Sequence, residues 1–169
     1  ILGWAQMLRT GKFDAVETAR AVEVIERNAR AQLQLIEDLL DISRVITGKL
    51  TLEVRTVELG QIIENALESI RPAAEAKAIQ LQVQLAVRDQ LLTGDPNRLQ
   101  QIVWNLLSNA VKFTPTQGRI EVTLERIADQ LQLTVRDSGL GISPEFLPFV
   151  FDRFSQADSS STRQHNGLG

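Results

Sequence analysis

Asn105-Leu-Leu-Ser-Asn109-Ala-Val-Lys112-Phe113 places two carboxamides and an ammonium on successive turns of an otherwise apolar segment. Four residues of α-helix advance ~400°, so Asn105 and Asn109 project from one face and Lys112 lies three residues further along it. Leu106, Leu107, Ala110 and Val111 fill the other side. A carboxamide oxygen is a hard, neutral ligand suited to Mg²⁺, which keeps most of its waters, and a lysine meets phosphate oxygens as a point charge. The set therefore suits a polyphosphate and its metal, although N-x-x-x-N alone more often decorates a solvated helix face. Just upstream, Gly94-Asp95-Pro96 is a start signal, with Asp95 as N-cap and Pro96 at the first helical position.

Downstream, Leu131-Gln-Leu133-Thr-Val135-Arg alternates as a strand and leads into Asp137-Ser-Gly139-Leu-Gly141-Ile142. A carboxylate at a strand end can accept a hydrogen bond from a base amine, while glycines let the backbone come close. Asp and Gly are also what an ordinary turn uses, so D-x-G-x-G carries little by itself. Its position ~30 residues after the Asn helix gives it weight.

Together these motifs resemble the sensor histidine kinases, whose ATP-binding domain belongs to the superfamily shared with gyrase, Hsp90 and MutL-type ATPases. Asp95-Pro-Asn-Arg98-Leu-Gln-Gln101-Ile-Val-Trp-Asn105 through Pro115 resembles the N box, and Asp137 to Ile142 the first glycine box. Phe149-Val-Phe151-Asp-Arg153-Phe154 is similar to the phenylalanine box, and Gly167-Leu168-Gly169 to the opening of the second glycine box. Through Gln156-Ala-Asp-Ser-Ser-Ser-Thr-Arg163 the resemblance is to hybrid kinases, which often carry receiver domains. The resemblance implies ATP and Mg²⁺ as ligands and assigns roles. Asn109 would be the metal ligand, Asn105 and Lys112 phosphate contacts, and Asp137 the adenine reader. Gly139, Gly141, Gly167, Leu168 and Gly169 would bring backbone to the nucleotide, with Arg153 a candidate for the γ-phosphate and Phe149, Phe151 and Phe154 seating the lid. Asn166 stands where many members have Gly.

ATP-hydrolysing relatives place Glu at the position of Asn105, where a carboxylate can draw a proton from water. A carboxamide cannot, which suits an enzyme that holds ATP until a histidine arrives as nucleophile. In the family that histidine would lie about three helical turns before Ile1. The single histidine of the chain, His165, falls in the wrong box, between a Ser/Thr run and Asn166-Gly167, as a solvated loop residue would. A chain beginning at Ile1 and stopping inside a glycine motif reads as part of a longer polypeptide.

Composition agrees without identifying. Hydrophobic residues make up 43% and charged residues 23% of 169, enough to bury a core without staples. With no Cys and one His, disulfides, thiolate chemistry and a zinc cluster are excluded. A net charge of −3 argues against nucleic acid as the main partner. No apolar run approaches the ~18 residues of a membrane span and no signal pattern opens the chain, so direct membrane contact is not expected. The expected location is cytoplasmic, with an anchor elsewhere in the parent protein left open.

The expected fold class is α+β, with residues 1–48 as a dimerisation hairpin and 49–169 as an α/β sandwich that binds ATP. Ile1 to Leu8 ends a helix at Thr10-Gly11, and a second runs from Asp14 to Val45, with Asp14 and Glu17 as a capping box. Val22, Ile25, Ala29, Leu33, Ile36, Leu39 and Leu40 recur at three- and four-residue spacing. Two such hairpins form a four-helix bundle, so a homodimer is expected; the alternative is packing on the chain's own second domain. Leu50 to Arg55 alternates as a first strand, and Val57 to Lys77 is an amphipathic helix with Pro72 as a breaker. Ile79 to Leu85, Gln90 to Thr93, Arg119 to Arg126 and Gln130 to Arg136 are strands, the last two a hairpin across Ala128-Asp129. Trp4 and Trp104 are packing residues. The function expected is an ATP-dependent histidine kinase core with a receiver domain as partner. The alternatives are a silent dimeric nucleotide-binding scaffold and an ATPase of the same superfamily.

Overall fold

The computed structural model describes residues 1–11, 13–152 and 155. Arg153, Phe154, His165, Asn166, Gly167, Leu168 and Gly169 lie outside them. The chain forms two compact units, Thr51–Pro144 and a second made of Ile1–Leu50 with the described residues from Glu145.

In the helical unit, α1 (Leu2–Leu8) packs against α2 (Ala15–Ile46). The break after α1 is closed by Thr10 Oγ1 donating to the Met7 carbonyl at 2.7 Å and by Gly11 at φ 64°. The capping box forms at α2, where Glu17 N–H donates to Asp14 Oδ1 at 2.7 Å and Asp14 N–H to Glu17 Oε2 at 3.1 Å. Trp4 meets Phe13 with ring centroids 6.2 Å apart. Phe149, in a single 3₁₀ turn at Leu147–Phe149, and Phe151 are exposed.

The second unit runs β1 (Arg55–Glu58), α3 (Leu59–Ala76), β2 (Gln80–Leu85), β3 (Leu91–Gly94), α4 (Pro96–Phe113), β4 (Arg119–Ile127), β5 (Gln130–Asp137). β1 and β3 form an antiparallel pair; β2, β4 and β5 form a mixed sheet with β4 central, parallel to β2 and antiparallel to β5. Ile120, Val122 and Leu124 of β4 meet Ile63, Leu67 and Ile70 of α3 and Val103, Leu107 and Ala110 of α4 in one core. The fold is α+β. The β4–β5 hairpin turns at Ala128, whose φ of 54° is unusual for a residue with a Cβ.

Several sequence expectations fail, among them the start of the helix expected from Val57, which begins at Leu59 because Val57 and Glu58 pair with Leu92 and Leu91 in the β1–β3 ladder. The alternation from Leu50 does not form a strand: Thr51 to Val54 has no regular structure, and Leu52 and Val54 are exposed. Glu53 N–H donates to Asp95 Oδ2 at 2.9 Å, which takes its donor out of any ladder, and pairing starts at Arg55 opposite Gly94. Pro72 does not break α3, which is continuous to Ala76. Its ring is exposed, and the buried Ile70 and Ala74 on either side hold the helix in place.

Candidate nucleotide site

The site is built where the last turns of α4 meet the chain leaving β5. α4 starts as its sequence demands: Asp95 Oδ1 accepts from Asn97 N–H at 2.9 Å and Arg98 N–H at 3.2 Å, with Pro96 first in the helix. Three backbone donors, Glu53 first, hold the Asp95 carboxyl below the ordinary 3.8 against the opposing effect of burial. Val103, Leu107, Ala110 and Val111 face the core. Asn105 and Asn109 are consequently exposed, one turn apart.

Lys112 is half-buried with its Nζ 4.8 Å from the centre of the Phe113 ring. Burial pushes its ammonium below the ordinary 10.5, an unfavourable desolvation that an adjacent anion would offset. Trp104, expected to pack, is 38% exposed.

At the other wall, Asp137 ends β5 opposite Ile120. Its Oδ1 accepts the Gly139 N–H at 2.8 Å, so this carboxylate does close a turn, as Asp commonly does. Among the described residues no donor reaches Oδ2. Ser138 continues the ladder, its N–H donating to the Arg119 carbonyl at 3.0 Å and its Oγ accepting from Arg119 N–H at 2.9 Å. The turn then presses on the helix: a Cβ at Gly139 would sit 2.7 Å from the Phe113 carbonyl oxygen and 2.6 Å from Asp137 Oδ1. Only glycine fits there. Gly141 has φ 71° and open space around it.

The structure thus brings the first glycine turn onto the end of the helix that carries Asn105, Asn109 and Lys112. Arg153, Gly167, Leu168 and Gly169 lie outside the described residues. Among the described residues no group of three or more His, Cys, Asp or Glu could hold a metal ion. The donor set here is instead a neutral carboxamide beside a cation, which fits Mg²⁺ arriving with its own anionic ligand. A concavity lined by Gln90, Leu92, Arg126 and Leu131 lies at the opposite end of β5 from Asp137.

Sequence reasoning missed Lys77. Its Nζ donates to the carbonyls of Val111 at 2.8 Å, Lys112 at 2.9 Å and Thr114 at 3.1 Å. A basic residue at a helix end was the visible signal, but its target lies 34 to 37 residues away. Thr114 is also unanticipated: it is 1% exposed, and its hydroxyl has no partner among the described residues.

Residues 94–169 match the family described as histidine kinase-, DNA gyrase B-, and HSP90-like ATPase. Hybrid signal transduction histidine kinase D of Dictyostelium discoideum is 38% identical over 216 aligned residues, covering 100% of this chain and 14% of its own length. The chain spans 14% to 24% of the length of curated relatives of this kind. The mycobacterial sensor histidine kinase MprB is 30% identical with a TM-score of 0.56, over 63% of this chain and 70% of that structure. Full-length ShkA, solved in complex with AMPPNP, superposes with a TM-score of 0.72 at 27% identity, over 94% of this chain and 34% of that structure. With the Asn helix, the glycine turn and their packing in place, the chain belongs to the sensor histidine kinases of this ATPase family.

Proposed function

We propose that this chain is the core of an ATP-dependent protein histidine kinase in a phosphorelay, and that it holds Mg-ATP where α4 meets the turn after β5. The reading is carried by the packing of Gly139 on the Phe113 carbonyl, which brings a carboxylate-bearing turn against the end of the helix that carries Asn109 and Lys112. Asp137 accepts the adenine amine on the oxygen that Gly139 does not use, and the backbone at Gly139 and Gly141 admits the nucleotide. Lys112 meets phosphate oxygens and thereby recovers the energy lost by its burial. Asn109 is the metal ligand and Asn105 a phosphate contact. Bound Mg²⁺ would neutralise charge on the phosphate oxygens. Arg153 is the candidate for the γ-phosphate, and Gly167, Leu168 and Gly169 for further backbone contacts.

The acceptor proposed for transfer is a histidine on a helix preceding α1. Its unprotonated ring nitrogen bonds to the γ-phosphorus as the bond from that phosphorus to the β–γ bridging oxygen breaks. ADP leaves with the electron pair, and the proton on the other ring nitrogen is released. Phosphoryl transfer depends mainly on positioning and charge neutralisation. Asn105 cannot take a proton from water, so bound ATP waits for the histidine.

The half-exposed apolar stripe of α2 supports a homodimer through the hairpin, and the hybrid relative supports a receiver domain, in the same or a separate polypeptide, as the phosphoryl acceptor downstream. The proposed use of ATP supports a cytoplasmic location. The test is incubation of the full-length protein with γ-labelled ATP and Mg²⁺. Acid-labile, base-stable label on the protein is expected, as phosphohistidine. Nucleotide binding without label would overturn the kinase reading and leave a nucleotide-binding scaffold.

A further inference from the structure

We propose that Lys77 is a positioning residue of the nucleotide site, holding the end of α4 in the place where the Asp137-Gly139 turn can seat against it. The inference rests on the site proposed above. The last carbonyls of a helix have no donor within the helix. At α4 the Lys77 ammonium supplies them, spending its three N–H donors on Val111, Lys112 and Thr114 at 2.8, 2.9 and 3.1 Å. A cation there also complements the negative end of the helix dipole.

Lys77 is itself fixed at both backbone groups. It caps α3 with its N–H on the Ala74 carbonyl at 3.2 Å, and its own carbonyl accepts from Gln117 N–H at 2.9 Å. One residue thereby joins the end of α3, the end of α4 and the loop that leads into β4. The carbonyls it holds, at 111, 112 and 114, flank that of Phe113, the surface on which Gly139 sits without room for a Cβ. A small shift of this last turn changes the placement of Asn109 and Lys112 relative to Asp137. A misplacement of ~1 Å can lower rates by about 100-fold.

The test compares Lys77→Met, Lys77→Arg and Ile63→Val in the full-length protein, at a temperature where all remain folded. Ile63 is fully buried in α3 and has no role in the site, so its variant reports general destabilisation. Mg-ATP affinity should fall about tenfold in Lys77→Met, partly recover in Lys77→Arg, whose guanidinium also offers several donors, and match wild type in Ile63→Val. Without nucleotide, the amide resonances of Lys112 and Gly139 should move in Lys77→Met and stay in Ile63→Val. Affinity within twofold of wild type in Lys77→Met, or resonances that do not move, would overturn the inference. Should Lys77→Met not fold, Lys77→Arg with wild-type affinity and unmoved resonances gives the same refutation. A wild-type protein that does not bind Mg-ATP would sink the proposed function instead, while the resonances would still test whether Lys77 positions the turn.

Discussion

The apolar stripe of α2 and those of α3 and α4 meet opposite fates. On α2, Val22, Leu33, Ile36, Leu39 and Leu40 are each 50% to 58% exposed. On α3 and α4, Ile63, Leu67, Val103 and Leu107 are at most 4% exposed, because the two helices pack on each other and on β4. Periodicity tells which face of a helix is apolar, while what covers that face depends on the partners available. A 32-residue helix, about 48 Å long, with such a stripe calls for a second surface, and a second hairpin is the one proposed.

The two regions should therefore fail independently. Ile25→Lys with Ile36→Lys puts one charge at a half-buried position of the α2 stripe and one on its open part, and light scattering should show monomers that still bind Mg-ATP; persistent dimers would show that the stripe is covered by something else. Next in size, Leu107→Ala leaves a cavity in a site with no exposure and should lower stability by about 3 kcal/mol in a denaturant titration. Leu39→Ala, measured at a concentration where the protein is monomeric, should lower it by less than about 1 kcal/mol. Equal losses would erase the contrast between the regions.

Asn109→Ala should reduce Mg²⁺-dependent phosphorylation by about 100-fold while dimerisation stays as in wild type. Near-normal activity would remove the metal assignment. The smallest effect is at low pH. Asp95 is held below the ordinary carboxyl value in the folded state, so its contribution is fully present above 3.8 and is lost as pH falls through the lower folded value. Acid unfolding of Asp95→Asn should accordingly show a shallower loss of stability below 3.8 than wild type. An unchanged acid limb would mean that the Glu53 and N-cap hydrogen bonds contribute little.

Local signals were legible in the sequence where neighbours in the chain decide the outcome. Asp95 and Pro96 start α4 as they read, Asp14 and Glu17 close their box, and the Asn105 and Asn109 face follows from helix geometry and the apolar residues opposite. Legibility ended where distant residues decide. Leu50 to Val54 alternates like a strand, yet Asp95, 42 residues on from Glu53, captures its backbone. Pro72 carries a break signal that the core on either side overrides. Gly139 reads as a glycine that lets backbone approach a nucleotide, and the Phe113 carbonyl beside it supplies a second reason, invisible in the sequence, why a side chain is excluded. Lys77 reads as a polar helix end until α4 is folded against it.

The most direct test of the central claim is titration of the ¹⁵N-labelled protein with Mg-ATP, following backbone amides. The account predicts the largest, saturable shifts at Asn109, Lys112, Gly139 and Gly141, with small ones along α2. Shifts that leave these four unmoved, or that cluster instead around Gln90 and Leu131 at the far end of β5, would contradict it.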